Sequence, residues 1–153
     1  HREFGPKVGR FLSTGLARVT AGRYQEVWID PTSLRITTEV PETHRPENVE
    51  RLSRGTRAAA YLLLRIGLAE HMSSIAEPIP VILDDPLVDL DDLRVEQFMD
   101  LLLSLTEEVQ ILLFTKDKAI VNWLELRSDD SVSHRVSVLP PPYGMTRKGT
   151  QVT

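Results

Sequence analysis

Two adjacent carboxylates, Asp84 and Asp85, follow the apolar run of residues 79–83, and Pro86 comes directly after them. In open α/β sheets, ligands bind beyond the carboxyl ends of the strands. A carboxylate placed there can hold Mg²⁺, and a second one can orient or deprotonate an attacking water. A polar loop after a strand is the plain alternative explanation for the same two acids.

A second candidate site precedes a long apolar segment and consists of Ser53, Arg54 and Gly55, followed by Thr56. Small and hydroxyl-bearing residues at a helix start leave its first N–H groups pointing outward. Together with the helix dipole, these groups form an anion site. The alternative is an ordinary helix N-cap, in which Ser53 or Thr56 caps the helix and Gly55 makes the turn.

A third feature is the acidic run from Asp89 to Asp92, which also precedes a helical pattern. Asp91 or Asp92 is a natural N-cap for that helix. The acids at 84, 85, 89 and 91 also leave open a different reading, in which they form the two-metal site of a Mg²⁺-dependent nuclease or phosphohydrolase.

The elements that must position these residues follow from periodicity and turn signals. Apolar residues at helical spacing predict helices over residues 8–21, 56–73, 92–106 and 119–126, and Gly22 is a natural stop for the first of them. Residues rich in β-branched and aromatic types predict a hairpin of 24–29 with 34–40, turning at 30–33. We expect a polar loop at 41–50 and a further strand at 133–139.

The strongest organisational signal is a strand–helix–strand pattern formed by residues 79–83, 92–106 and 109–114. Both strand segments are almost continuously apolar, which is typical of buried strands in a parallel sheet. The helix at 56–73 is apolar on nearly every face, which is typical of a domain interior. The sequence therefore predicts an α/β fold with a mostly parallel sheet, flanking helices and an N-terminal helix plus β-hairpin.

Composition excludes several functional classes. The chain has 153 residues, 41% of them hydrophobic and 26% charged, with a formal net charge of −4. These values indicate a globular domain and exclude a polybasic nucleic-acid binder. The absence of cysteine excludes disulfide scaffolds and thiol catalysis and fits a reducing, cytoplasmic compartment. The longest apolar run, residues 58–64, is too short to cross a membrane.

The order and spacing of the three features resemble the carboxyl-terminal half of an ABC-type ATPase head. The resemblance covers roughly residues 23–126 and rests on the stretch LSRGTRAAAYLLLRIGLAEHMSSIAEPIPVILDDPLVDLDDLR. The stretch most resembles the SMC/RecN-like ATPases of chromosome maintenance and repair. Among these, the bacterial YhaN-like proteins share LSRGTR, AEH and ILDDP.

The resemblance implies a nucleotide role for the residues before the buried helix. Ser53 and the backbone of Arg54 and Gly55 match the signature motif, which contacts the γ-phosphate of ATP held by the opposite subunit. Asp91 matches the D-loop aspartate, which communicates across the dimer.

The resemblance also implies roles around the acidic pair. Asp84 matches the Walker B aspartate that supports Mg²⁺, and Asp85 stands where many ABC proteins carry the catalytic glutamate. Lys116 stands in place of the switch histidine, within the sequence Phe114-Thr115-Lys116-Asp117. A lysine can bring a cation toward the γ-phosphate, but it does not exchange protons near neutral pH as histidine does.

The chain contains no GxxxxGK[ST] phosphate loop. In the family that the chain resembles, this loop lies in the amino-terminal half of the head, beyond a long coiled coil. We therefore expect a C-terminal half-head: residues 1–22 at the root of a coiled coil or linker, 23–138 as the ATPase half, and 139–153 as a flexible tail.

The expected function is ATP binding and hydrolysis between two heads in DNA repair or chromosome maintenance, with ATP and Mg²⁺ as cofactors. Expected partners are the N-terminal Walker A half of the same protein, a second head in an ATP-sandwiched homodimer, and DNA. A membrane is not expected as a partner, and the isolated chain is expected to be inactive. A non-catalytic ABC-like interaction domain remains a further alternative.

Overall fold

Four α-helices and five β-strands form the regular structure of the described residues. The computed structural model describes residues 4–73, 77, 79–106, 109–127, 134–137 and 139. In chain order the elements are α1 (Phe4–Val19), β1 (Val27–Ile29), β2 (Ile36–Val40), β3 (Arg45–Asn48), a 3₁₀ turn (Val49–Arg51), α2 (Arg54–Ser73), β4 (Val81–Asp84), α3 (Asp92–Leu105), β5 (Ile111–Phe114) and α4 (Lys118–Glu125). The chain divides into two units, residues 1–116 and 117–153.

Helix α1 begins earlier than its periodicity predicts and ends close to the predicted residue. Pro6 lies in its first turn, where a missing N–H breaks no helical hydrogen bond. At the other end, the N–H of Gly22 donates to the carbonyl of Ala17 at 2.7 Å. Gly22 has φ 79°, so the predicted glycine stop is confirmed.

The predicted hairpin is present as β1 and β2, which pair antiparallel from Val27 opposite Thr38 to Ile29 opposite Ile36. Asp30 holds its turn by accepting hydrogen bonds from the N–H of Thr32 and the hydroxyl of Ser33.

The loop prediction for residues 41–50 is wrong, because β3 pairs antiparallel with β2 over Arg45–Asn48 and extends the hairpin to three strands. Its polar residues and Pro46 obscure the strand pattern. Both are tolerated because β3 lies at the edge of the sheet, where one side of the strand needs no backbone partner.

The strand–helix–strand unit is confirmed: β4 and β5 pair parallel from Val81 opposite Ile111 to Asp84 opposite Phe114, with α3 between them in sequence. The α/β class is therefore confirmed, together with the N-terminal helix and hairpin. The prediction that these strands are buried throughout is wrong.

One face of this two-stranded sheet is open. Ile82 is 66% exposed, Phe114 44% and Leu112 39%, whereas Val81 and Leu83, on the other face of β4, are buried. Side chains alternate between the two faces of a strand, so only one face packs on the core of this unit. We call Ile82, Leu112 and Phe114 the open sheet face.

Helix α2 forms the centre of the first unit, as its apolar composition predicts. Ten of its twenty residues are buried. Helix α1 approaches it at two glycines: a Cβ at Gly15 would lie 2.6 Å from Cδ2 of Leu63, and one at Gly67 would lie 2.8 Å from Cδ1 of Phe11. Both distances are shorter than real Cβ contacts, so a Cβ at either position would force Leu63 or Phe11 to shift.

The second unit contains α4, which confirms the helix predicted at 119–126. Asp117 caps it by accepting a hydrogen bond from the N–H of Ala119 at 2.8 Å. Arg127 lies over the ring of Trp123, 3.8 Å from its centre. Residues 134–137 form no strand, which contradicts the strand predicted there, and the predicted tail lies outside the described residues except for Leu139.

Within the described ranges, no helix combines the length and apolarity that a membrane crossing requires.

The tight packing of α1 on α2 predicts opposite effects of two glycine substitutions in one helix. Gly15→Ala should destabilise the fold by about 1–3 kcal/mol, because Leu63 is fully buried and would have to shift within the packed core. A Cβ at Gly9 would meet only the carbonyl oxygen of Val27, at an ordinary 3.6 Å. Gly9→Ala should therefore be neutral or stabilise by up to about 1 kcal/mol through helix propensity.

Urea unfolding of the two variants beside the parent chain measures both effects. Equal stabilities for Gly9→Ala and Gly15→Ala would contradict the packing described for α1 and α2.

Candidate functional site

Ser53 is the N-terminal cap of α2. Its Oγ accepts a hydrogen bond from the N–H of Thr56 at 3.3 Å and lies 2.8 Å from the Thr56 hydroxyl oxygen. Its carbonyl oxygen accepts a hydrogen bond from the N–H of Arg57 at 2.9 Å, as the residue before a helix should. The capping role considered from the sequence is thus confirmed for Ser53.

Gly55 does not make a turn, contrary to the sequence interpretation. It is a buried residue in the first turn of α2. A Cβ there would lie 2.9 Å from Nη1 of Arg94 and 3.0 Å from the carbonyl oxygen of Asp89. Glycine is required at this position because another segment of the backbone approaches it, not because of its φ angle.

The start of α2 and the acidic run therefore meet in space. Besides the contact at Gly55, Nε of Arg54 lies 2.8 Å from Oδ1 of Asp89. The Arg54 side chain is largely exposed and that of Asp89 is less so, so this ion pair lies at the surface. Two of the features predicted from the sequence form one continuous surface.

Asp91 caps α3, which confirms one of the two capping residues proposed from the sequence. Its Oδ1 accepts a hydrogen bond from the N–H of Arg94 at 3.1 Å, and its Oδ2 lies 3.4 Å from Nε of Arg94. The Arg94 guanidinium thus contacts the cap of α3 and the first turn of α2. It connects the predicted D-loop residue to the predicted signature residues.

Asp84 is the last residue of β4, and its side chain is exposed. Among the described residues, no hydrogen bond or ion pair joins its carboxylate to another group. An exposed carboxylate at the carboxyl end of a parallel strand is available to a ligand.

Asp85 is held in a different way. Its backbone is left-handed, with φ 43°, and its N–H donates to the carbonyl of Phe114 at 2.9 Å. Its Oδ1 accepts from the Thr115 hydroxyl at 3.1 Å and from the N–H of Lys116 at 3.4 Å. Its Oδ2 lies 3.1 Å from Nζ of Lys116. Both oxygens of this carboxylate are therefore occupied by groups that follow β5.

These partners make Asp85 a stable carboxylate. The side-chain hydrogen bond from Lys116, supported by the Lys116 N–H and the Thr115 hydroxyl, holds the pKa of Asp85 below its ordinary value. Asp85 is consequently ionised at neutral pH and is a weak proton acceptor while Lys116 remains paired to it.

The four acids at 84, 85, 89 and 91 do not assemble into a metal cluster. Asp85 pairs with Lys116, Asp89 with Arg54 and Asp91 with Arg94. Within the part of the chain that the structure describes, no group of three or more His, Asp or Glu side chains is arranged to hold a metal ion. The two-metal nuclease hypothesis therefore has no geometric support.

Solved structures share this architecture. A head solved in work on ATP-driven dimerization and DNA-stimulated activation of SMC ATPases superposes with a TM-score of 0.60 at 21% identity, covering 78% of this chain. The SMC head domain from Thermotoga maritima gives 0.56 at 22% identity, covering 76%. The chain has the fold of part of an SMC head domain.

The extent of the match differs between these SMC heads. The chain spans 73% of the first structure but 40% of the Thermotoga maritima head. It spans 30% of the Smc head with an extended coiled coil from Pyrococcus furiosus, which is bound to the C-terminal domain of ScpA and matches with a TM-score of 0.58 at 18% identity. No protein-family model and no curated protein matches the sequence. At sequence identities of 18% to 22%, the likeness to these SMC heads establishes the fold of the chain alone.

Sequence reasoning missed Thr115 and Arg94 as functional neighbours. Thr115 could have been found, because it follows β5 just as Asp85 follows β4, and equivalent ends of parallel strands meet at one edge. Arg94 carried no such signal, since its contact with Gly55 depends on the packing of α3 against the start of α2.

The contact at Gly55 predicts that Gly55→Ala destabilises the chain by about 1–3 kcal/mol, because a methyl group would collide with Arg94 and with the backbone of Asp89. Chemical unfolding measures this loss. In an Arg94→Ala background, Gly55→Ala should cost less stability than it does in the parent chain. It should still cost some, because the Asp89 carbonyl oxygen stays in place. If Gly55→Ala costs the same stability in both backgrounds, the contact with Arg94 is contradicted.

Proposed function

We propose that this chain is the signature-motif and Walker B half of an SMC/RecN-like ATPase head, which binds and hydrolyses ATP between two heads in DNA repair or chromosome maintenance. One observation carries the proposal: a chain with the fold of an SMC head has the Asp84–Asp85 pair at the end of a parallel strand, beside Lys116. A bound ATP, a second head and DNA are parts of the proposal.

Asp84 is the proposed Mg²⁺ ligand. Its carboxylate is exposed and makes no hydrogen bond or ion pair with another described residue. Such a carboxylate suits Mg²⁺, which binds one or two carboxylates together with water and substrate phosphates. When bound, Mg²⁺ would neutralise negative charge on the phosphates.

Asp85 is the proposed group that orients the attacking water, and Lys116 is the proposed cation near the terminal phosphate. In the structure these two charges neutralise each other. An exposed ion pair of this kind contributes only about 0–1 kcal/mol, so a polyanion can compete for the ammonium group. Release of Lys116 would leave one oxygen of Asp85 available to accept a hydrogen bond from water.

Ser53, Arg54 and Gly55 are the proposed contacts to ATP held by the opposite head. The cap leaves Ser53 exposed, and the Arg54 side chain extends into solvent. The amino end of a long, buried helix favours an anion through its N–H groups and dipole. Asp91, which is exposed and next to this surface, is proposed to lie at the same head–head contact.

The open sheet face supports the proposed N-terminal Walker A half as a partner. Parallel sheets are normally covered on both faces, and here Ile82, Leu112 and Phe114 are exposed. An upstream half that covers this face would also supply the phosphate loop that the chain lacks. DNA is proposed as a further partner because one of the similar heads belongs to work on DNA-stimulated SMC ATPases. We propose a cytoplasmic location.

A second candidate function is a non-catalytic interaction domain with this fold. The ion pair between Lys116 and Asp85 favours it, because a permanently paired Asp85 cannot act on water. The two functions differ in one measurable property: a complete head that binds ATP without hydrolysing it supports the interaction domain.

The proposed role of Asp85 predicts that Asp85→Asn, in a head completed by the upstream half, slows ATP hydrolysis by about 10²-fold or more and leaves ATP binding and dimerisation intact. Asparagine is a suitable replacement because it also tolerates a left-handed backbone and its amide oxygen can accept the hydrogen bonds that Oδ1 accepts, although its NH2 group cannot pair with Lys116.

Steady-state turnover and nucleotide titration measure the two properties. The isolated chain serves as the blank, since it lacks a phosphate loop and should show negligible turnover. A parallel loss of binding and turnover in Asp85→Asn would indicate a structural or metal-binding role instead.

The proposed contact to the opposite head predicts that Ser53→Arg abolishes ATP-driven dimerisation of a complete head and leaves ATP binding to the monomer near normal. Bulk and positive charge at a helix amino end oppose close docking and the helix dipole. Ser53→Arg also removes the cap of α2, so Ser53→Ala is the matched control, since it removes the same hydrogen bond.

Light scattering with ATP and Mg²⁺ separates the two variants. Dimerisation should fail in Ser53→Arg and be weakened less in Ser53→Ala, which loses the proposed hydroxyl contact but adds neither bulk nor charge. If Ser53→Arg dimerises as well as the parent head, Ser53 has a capping role alone.

A further inference from the structure

Thr115 occupies a position for which the ATPase assignment gives no role. It directly follows β5, at the sheet edge where Asp85 follows β4. Its hydroxyl donates to Oδ1 of Asp85 at 3.1 Å, and its side chain is half-buried. A β-branched side chain has few accessible χ1 rotamers, so this donor stays in place.

The ammonium group of Lys116 contacts the same carboxylate, but its position is less restricted than that of the Thr115 hydroxyl. Its side chain is 85% exposed, and its ammonium group ends a flexible four-carbon stem. The Lys116 N–H also reaches Oδ1 of Asp85, but at 3.4 Å, which is long for a hydrogen bond. Of the three donors to Asp85, the Thr115 hydroxyl is therefore the one that lies within hydrogen-bond distance on a short side chain with few rotamers.

The backbone of Asp85 is held in place without Thr115, so the carboxylate is the part of this residue that can still move. At φ 43° the residue lies in the left-handed region, where aspartate is tolerated because its short side chain forms local hydrogen bonds. The N–H of Asp85 is fixed on the Phe114 carbonyl, so the backbone is anchored to β5. The remaining freedom is rotation of the carboxylate, and the Thr115 hydroxyl restricts it.

We propose that Thr115 is a positioning residue for Asp85: its hydroxyl fixes Oδ1, so that Oδ2 is the oxygen exchanged between Lys116 and water. This inference rests on the proposed ATPase function, and it assigns the two carboxylate oxygens different tasks. Lys116 is the removable partner of Oδ2, and Thr115 is the retained partner of Oδ1.

The chemical test uses the complete head and compares Thr115→Val with Thr115→Ser. Valine keeps the shape of threonine and lacks the hydroxyl, whereas serine keeps the hydroxyl and lacks the methyl group. We expect Thr115→Val to lower kcat about 10- to 100-fold with unchanged KM for ATP, as misorientation of one reacting group does. Thr115→Ser should retain most of kcat.

Thr37→Val is the matched control, because Thr37 lies on β2 in the three-stranded sheet, where it pairs with Trp28. That sheet does not contain β4 or β5. Thr37→Val should leave kcat unchanged. An unchanged kcat in Thr115→Val would overturn the proposal, and so would equal losses in the valine and serine variants, since that pattern reports packing of the methyl group.

A spectroscopic test is independent of ATP hydrolysis. In amide NMR spectra of the 153-residue chain, Thr115→Val should shift the resonances of Asp85 and Lys116, and Thr115→Ser should leave them near their parent positions. Unchanged Asp85 and Lys116 resonances in Thr115→Val would overturn the proposal. If the complete parent head has no ATPase activity but the expected NMR shifts are seen, the proposed function is refuted. The contact by which Thr115 orients Asp85 is then retained.

Discussion

The packing around α2 is the constraint on which the other features depend. Three glycines mark it: Gly15 and Gly67, where α1 and α2 touch, and Gly55, where the backbone of Asp89 and the Arg94 side chain approach. A methyl group at any of these positions would force a neighbouring atom to shift. Because protein interiors are close-packed, the amino end of α2 cannot shift without displacing α1 or the acidic run.

This rigidity determines what the start of α2 can do. Ser53 needs no ligand to adopt its conformation, because the helix it caps is held by the core. Arg54 pairs with Asp89 at the surface, and this ion pair is weaker than the packing beneath it, where the Arg94 side chain lies against Gly55. The surface is preorganised, so binding there would require little ordering of the protein.

Much of the fold follows from local pattern. Helix α2 and the β4–α3–β5 unit were predictable because their apolar residues recur at strict helical spacing or in short continuous runs. Strand β3 was not, since an edge strand can be polar and contain Pro46. The exposure of Ile82 was also not predictable, because an apolar run shows that a face must be covered but not whether the same chain covers it.

The site shows the same division between local and distant information. The caps formed by Ser53 and Asp91, and the location of Asp84 and Asp85 at a strand end, depend on neighbours in sequence and were predictable. The ion pair of Arg54 with Asp89 was not, because tertiary packing brings these two segments together. Lys116 follows β5 at the edge where Asp85 follows β4, so its location was predictable but its pairing with Asp85 was not. Nothing local to Lys116 indicates which acid it meets.

The open sheet face has a consequence for how the protein must be made. Besides the exposed Ile82, Leu112 and Phe114, each strand of this parallel sheet pairs on one side only among the residues that the structure describes, and unpaired strand edges can pair with other chains. During synthesis, covering of this face therefore competes with self-association, and that competition grows with concentration. The yield of native protein should therefore fall as its concentration rises while the open sheet face stays uncovered.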